Sequence, residues 1–374
     1  MRIGLITTID TNIGDDFIRE GICRVIRSLV PDQRLEFVAV NKHSPIGVYP
    51  KWHPVKVLRS RRIRPGAARR ACRSVSNRIL GMGLTHFDSC DAIVQCGAPV
   101  YWPDCAHTAW REELWEEVVE RLHRRIPVLN LAAGSCYPYD RQPEYFESGE
   151  DRQYARWLHS LCRATAVRDQ LAFRLLGDAG CNAELIPCSA FLFTTPSDAT
   201  ETADGPVLIS YMRGGGHQYG WSEGAEPEIW QSATRQLIDR LRKRHRVAML
   251  CHNEEEAGLA RELDPTCECI VPRTYSEFPR MVRTAKAALC NRMHAAVALA
   301  GMGIPSVAVC TDTRLLMVKQ LGLPCFYVKD ASAPQLEADL ERLIASRHEV
   351  AASLKSLQEK TMAKYQDILK AHLR

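Results

Sequence analysis

The most constraining feature of this chain is an alternation that runs almost from end to end, with apolar runs of about five residues separated by longer segments of helical period. Runs this short, fully apolar, read as strands buried on both faces, and the segments between them read as the helices that cover those faces. In the first half, strands are predicted at 3–7, 36–40, 92–96, 128–132, 164–167 and 183–186. An amphipathic helix between the first two carries Phe17, Ile18, Gly21, Ile22, Val25, Ile26 and Leu29 on one face. Residues 194–206, TTPSDATETADGP, hold no large apolar side chain and read as a linker. The alternation then restarts, with strands at 207–211, 247–251, 268–271, 287–290, 306–309 and 325–328. The helices of this half fall at 226–244, 254–263, 276–284, 294–302 and 314–321, and a final helical segment spans 334–372. The expected fold class is α/β, two Rossmann-like domains facing a cleft: residues 1–193, the linker at 194–206, and residues 207–374 with the terminal helices.

At 374 residues, with 46% hydrophobic and 25% charged side chains, the chain can build such cores, and disordered and fibrous classes are excluded. Its longest uncharged apolar run, 295–310, is shorter than the ~18 residues of a membrane span and is broken by Gly301, Gly303 and Pro305. The opening MRIGLITTID reads as a buried strand rather than a signal peptide, so a cytoplasmic protein is expected. Most of the fifteen cysteines lie in apolar stretches without C-x-x-C pairing, which favours packing over metal or redox chemistry.

The net charge of +5 conceals an asymmetry. From Lys42 to Arg78 there are eleven cations and no acid, so the remainder of the chain is net acidic. This stretch is either a solvated Arg-rich helix or a surface for a polyanion, a diphosphate-bearing acceptor or an anionic membrane face. Nucleic acid is not expected, because no aromatic residues interleave with the cations in the manner of single-strand binders.

Open α/β sheets bind ligands beyond the carboxyl ends of their strands, so chemistry is sought there. After the first strand come Asn12, Gly14 and Asp15. Either Asp15 or Asp16 could cap the helix, or Asp15 could bond acceptor hydroxyls as a base. No G-x-G-x-x-G fingerprint is present. Gly97 and Ser135 follow later strands, where small residues would keep the cleft floor open or simply make turns. In the second half, Arg213 precedes Gly214, Gly215 and Gly216, a loop whose backbone N–H groups could line an anion. Arg292 and His294 stand where strand 287–290 turns into a helix, and Arg314 follows the next strand. Together these residues predict an oxyanion pocket.

The order and spacing of three segments resemble the polysaccharide pyruvyl transferase family: IGLITTIDTNIGDDFIREG, AVRDQLAFRLLGDAGCNAELIPCSAF and CNRMHAAVALAGMGIPSVAV. The family pattern falls on Asn12, Gly14 and Asp15, on Arg168 and Asp169, and on Arg292 and His294. The chain departs from it at Cys188, where many members have Asp, at Ala295, where Gly is common, and at Arg314, where Lys is common. The resemblance implies a glycosyltransferase B type of fold and transfer of a pyruvyl group from phosphoenolpyruvate to a sugar or other diol as a ketal, with no further cofactor and no metal. It carries over His294 and Arg292 as donor-site residues and matches Arg213 to a basic residue of the family, with residues 1–193 as the acceptor-side domain and residues 207–374 as the donor-binding domain. Taken with the residues at the strand ends, the expected catalytic residues are His294, as general acid or holding the departing phosphate, and Asp15; Arg213, Gly214, Gly215, Arg292 and Arg314 are expected to bind the donor, and Asn12, Gly14, Gly97 and Ser135 to lie on the acceptor side. The acceptor would be a sugar-type molecule, phosphate- or lipid-linked in one version, which would bring the protein to the inner face of a membrane. Two alternatives stay open: a nucleotide-sugar glycosyltransferase of the same fold, and a catalytically silent anion- or partner-binding member. Oligomeric state is not addressed by the sequence.

Overall fold

A computed structural model describes residues 1–9, 12–53, 56, 84–199, 204–216 and 226–373. Its strands form two sheets, one on each side of the 194–206 segment. The first contains β1 (Arg2–Thr7), β2 (Glu36–Asn41), β3 (Ala92–Cys96), β4 (Pro99–Tyr101), β5 (Val128–Ser135), β6 (Ala164–Val167) and β7 (Glu184–Leu185). Their order is β2-β1-β3-β5-β6-β7, with β4 beside β5. The second contains β8 (Val207–Ser210), β9 (Val247–Leu250), β10 (Glu268–Ile270), β11 (Ala287–Cys290), β12 (Ser306–Cys310) and β13 (Cys325–Tyr327), in the order β10-β9-β8-β11-β12-β13. Every pairing of these strands is parallel, as the short, doubly buried runs require. Strand order reverses between β1 and β3 in one sheet and between β8 and β11 in the other. Those two switch points are where such sheets open a crevice for a ligand.

Helix α1 (Ile13–Leu29) leaves the first switch point and buries Phe17, Ile18, Ile22, Val25 and Ile26, the predicted face. It starts at Ile13, earlier than the two aspartates suggested. The capping side chain is neither Asp15 nor Asp16 but Asn12, whose Oδ1 accepts from the Gly14 N–H at 2.9 Å. Asp16 pairs instead with Arg19 at 2.6 Å. Further helices among the described residues include α2 (Gly149–Leu161), α3 (Gln170–Asp178), α4 (Pro227–Leu241), α5 (Glu254–Leu263), α6 (Phe278–Val282), α7 (Met293–Gly301), α8 (Leu315–Lys319), α9 (Ala333–Ala345) and α10 (Arg347–His372). Three features escaped the sequence: strand β4, the π-helical turns Arg111–Val119, and a break at Ser346 that divides the predicted 334–372 segment. At that break the Ser346 hydroxyl donates to the Arg342 carbonyl at 2.9 Å, a local bond that competes with the helical ladder.

The last helix does not stay with the second sheet. In α10 the Gln358 amide donates to the carbonyls of Phe191 at 2.6 Å, Thr194 at 2.9 Å and Gly301 at 3.1 Å, and the Tyr365 hydroxyl donates to the Pro187 carbonyl at 3.0 Å. Aromatic packing adds to this seam: Phe17 of α1 stacks on Phe193 at 4.8 Å and meets Phe278 of α6 at the same centroid distance. A polar seam lies elsewhere between the halves, where Tyr139 N–H donates to the Thr311 carbonyl at 3.0 Å and Thr313 N–H donates to the Tyr137 carbonyl at 2.9 Å.

Gly21 of α1 lies directly against the Ser189 backbone, where a Cβ would collide with the Ser189 carbonyl oxygen, whereas Gly258 in α5 faces open space. Gly21→Ala is therefore expected to destabilise the protein by about 1–3 kcal/mol through overpacking. Gly258→Ala should stabilise it by ~0.5–1 kcal/mol by removing backbone entropy from the unfolded chain. Opposite shifts in denaturant midpoint are the expected result; equal shifts would contradict the packing.

Candidate active site

A cleft of about 1320 Å³ opens between the carboxyl ends of the two sheets. The first domain contributes Asn12, Asp15, Lys42, Ala98, Trp102 and Trp110 among its walls, and the second contributes Arg213, Gly214, His252, Glu256, Arg292, His294 and Arg314.

At its centre two helix starts meet. His294 lies in the first turn of α7, and Gly14 lies in the first turn of α1. A Cβ on Gly14 would stand 3.0 Å from both Cβ and Nδ1 of His294, so a larger residue would press on the imidazole. The other ring nitrogen, Nε2, faces Nη1 of Arg168 at 3.0 Å. A guanidinium only donates, so Nε2 is the acceptor and the neutral ring carries its proton on Nδ1. Burial first, and then the charges of Arg168, Arg314, His252 and Arg292, hold the His294 pKa well below its ordinary value. His294 is thus a neutral imidazole surrounded by cations. A standing imidazolium is disfavoured there.

Arg168 follows β6 directly and is 0% exposed. Its Nη1 also lies 3.7 Å from the Cys188 thiol, while Nε and Nη2 have no hydrogen-bond partner. A carboxylate at 188 would pair with this guanidinium; the thiol leaves its charge in place. The neighbouring Asp169 caps α3 through the Ala172 N–H at 2.8 Å and accepts from both the N–H and the hydroxyl of Ser135 at 2.8 Å.

The other two arginines are clamped. Arg292 donates from Nε to Glu256 Oε1 at 2.7 Å, and its Nη2 contacts the same oxygen. Glu256 is buried and also accepts from the His252 N–H at 2.8 Å. Arg314 forks onto Asp312, with Nε at 2.8 Å and Nη2 at 2.6 Å. Each therefore keeps Nη1 outside these two forks while its carboxylate fixes the orientation of the plane.

Other predicted residues fall elsewhere. Arg213 is exposed at the cleft wall and paired with Glu262 at 2.7 Å, and it is not among the cations that act on His294. Gly214 lines the cleft. The Gly215 N–H, however, closes a turn on the Met212 carbonyl at 2.8 Å, so it is not free to meet an anion. Gly97, at φ +55°, packs on Ile18 of α1, and the cleft wall is formed by Ala98 and Pro99 instead. Ser135 is buried between Asp169 and Thr313, its hydroxyl 2.9 Å from that of Thr313 across the seam, so it joins the domains and does not line the cleft. Of the basic stretch, Arg59 to Arg78 lie outside the described residues. Lys42 does not lie on a charged surface: it is 7% exposed, with Nζ 4.7 Å from the Trp110 ring centre, in the cleft. Burial lowers its pKa to about 8, against an opposing pull from Asp15.

Glu256 and His252 were not singled out from the sequence, and Lys42 was read only as part of the basic stretch; His252 and Lys42 come just after β9 and β2, and Glu256 lies in the first turn of α5. The signal that could have found them is the strand-end rule itself, applied to Cys251-His252-Asn253 and to Asn41-Lys42. Among the described residues no helix is long and apolar enough to cross a membrane.

The description "Polysaccharide pyruvyl transferase" belongs to a family model that matches residues 12–312. No curated protein matches the sequence. Among solved structures, a Listeria monocytogenes protein named as a UDP-N-acetylglucosamine 2-epimerase superposes with TM-score 0.54 at 10% identity, covering 95% of this chain and 90% of that one. The UDP-GlcNAc 2-epimerase of Neisseria meningitidis bound to UDP-GlcNAc superposes with TM-score 0.52 at 9% identity, covering 100% and 99%. S. aureus MnaA with UDP gives TM-score 0.50 at 11% identity, covering 99% and 97%. At such identities the likeness establishes the fold alone, and it is the two-domain glycosyltransferase B type.

The buried histidines fix a pH signature. Burial brings the His252 pKa down to about 4, and His294 is held well below its ordinary 6.5. Both folded-state values lie below those of the unfolded chain, so this contribution to stability is complete above pH ~6.5 and is lost as pH falls from there toward 4. The fall in melting temperature between pH 7 and 5 should be shallower in His252→Asn than in the wild type. An unchanged slope would contradict the burial of a neutral ring.

Proposed function

The chain belongs to the polysaccharide pyruvyl transferase family, and we propose that it transfers the pyruvyl group of phosphoenolpyruvate to two hydroxyls of a sugar-type acceptor, forming a ketal. The observation that carries this reading is the neutral His294 ringed by Arg168, Arg292 and Arg314. Phosphoenolpyruvate places a carboxylate and a phosphate on three carbons, and a compact set of guanidinium donors suits that charge density. The remaining Nη1 groups of the two clamped arginines, Arg292 and Arg314, which both line the cleft, supply such donors, with the charge of the fully buried Arg168 behind them. Because carboxylates already hold the guanidinium planes, little reorganisation accompanies binding.

The reaction requires a proton at the methylene carbon, attack of one hydroxyl on C2, departure of phosphate, and attack of the second hydroxyl. The two hydroxyls release two protons; one replaces that delivered to the new methyl group and the other leaves with phosphate, and no redox change occurs. His294, neutral and with its proton on Nδ1, serves as a hydrogen-bond donor to the oxyanion that develops on the departing phosphate. This assigns it the phosphate-holding role rather than that of a stored acid. Asp15, at the start of α1, accepts a proton from an acceptor hydroxyl.

His294→Ala should lower turnover by about 10²–10³, the effect of removing an oxyanion donor, while His294→Asn, which keeps an N–H, should retain much of the activity. Equal losses in both variants would return His294 to the role of general acid. Phosphoenolpyruvate at about 100 times its Kd should stabilise the wild type by roughly 2.7 kcal/mol. That shift should disappear in Arg168→Met. Stabilisation by UDP-N-acetylglucosamine with none from phosphoenolpyruvate would replace this reading with a nucleotide-sugar glycosyltransferase on the same fold.

A further inference from the structure

The guanidinium pocket occupies one part of a cleft much larger than a three-carbon donor needs. Ligand sites for whole drug-sized molecules run from about 300 to 1,000 Å³, and this cleft is about 1320 Å³. The first-domain wall has a different chemistry from the cationic end. Trp102, just after β4, and Trp110, just before the π-helical turns, both line the cleft, with ring centres 5.6 Å apart and planes inclined by 58°. His43 braces Trp110 edge-on at 5.1 Å. Lys42 lies along Trp110 with its Nζ 4.7 Å from the ring centre, and Asp15 lies close enough to act on that ammonium. An aromatic wall with a cation and a carboxylate beside it matches a molecule with one apolar C–H face and a rim of hydroxyls. The faces of indole rings are electron-rich and attract polarised C–H groups, while the ammonium donates to hydroxyl oxygens and the carboxylate accepts from hydroxyl protons.

We propose that Trp102 and Trp110, with Lys42 over one face of the Trp110 ring and Asp15 near its ammonium, form the acceptor subsite, which takes a pyranose ring by its C–H face. This assignment rests on the reading of the cleft as a ketal-forming site. The ring would then lie between the wall and the guanidinium pocket, with Asp15 at the rim that carries the reacting hydroxyls.

The test is saturation-transfer NMR on the whole protein with methyl β-galactopyranoside and methyl β-glucopyranoside as probes, alongside phosphoenolpyruvate-induced stabilisation. The expected result is transfer to protons of one ring face for at least one probe. Its Kd should rise roughly tenfold in Trp102→Ala or Trp110→Ala and change little in Trp102→Phe, while all three variants keep the phosphoenolpyruvate shift, which also shows that they fold. Three results overturn the proposal: no transfer to either probe, unchanged affinity in both alanine variants, or displacement of the probe by uridine monophosphate, which would make the wall a base platform. Sugar binding to the wall in a wild type that phosphoenolpyruvate does not stabilise would remove the donor reading and leave the subsite standing. A phosphoenolpyruvate shift without sugar binding would do the reverse.

Discussion

The contact on which the cleft depends is the one made by His294 across the domains. One of its ring nitrogens meets Arg168, which enters from the end of β6 in the first domain, and its other edge lies against Gly14 at the start of α1. Two sheets that fold independently in pattern are thereby registered at a single side chain. The remaining seam reinforces that register: backbone bonds between 137–139 and 311–313, the Ser135–Thr313 hydroxyl contact, and the three carbonyls gathered by Gln358. A Cβ at position 14 would stand 3.0 Å from the imidazole, so the ring would have to give way.

Charge is handled in this centre by pairing what can be paired and leaving one cation open. Arg292 and Arg314 are neutralised by the buried carboxylates Glu256 and Asp312. Removing either acid would strand a buried cation, which is far more damaging than losing a surface pair such as Arg213–Glu262. Arg168 is different. It has a thiol and a neutral imidazole for company, together with its neighbour Asp169, which is spent on Ser135 and the α3 cap. Burial first, and then the field of these cations, keep His294 neutral.

Strand positions and the two-sheet organisation were legible because doubly buried strands leave unbroken apolar runs, as in VAML and AALC. β4 and the π-helical turns were not, since three residues carry no period and a π turn differs from an α turn by a single residue of register. Among the site residues, Arg292 and His294 were legible from their place at the end of β11. Ser135 and Gly97 stood in equivalent places yet turned inward, because the direction of a side chain after a strand is set by what packs on it. Lys42 looked like the first member of a basic surface, and only the position of Trp110 shows that it belongs to the cleft.

The sequence by itself determined the α/β class, the two parallel sheets, the helix that α1 presents to the core and the places where the chain turns at strand ends. These follow from hydrophobic period and turn chemistry, which are local properties. Tertiary structure alone decided which strand-end residues share a pocket. Arg168 and His294 are 126 positions apart, and Lys42 and Trp110 come from separate elements. Their meeting depends on how two domains close on one another, and with that closure came the protonation state of His294, because a pKa is set by the burial and charges that surround a group in space and not by its neighbours in sequence.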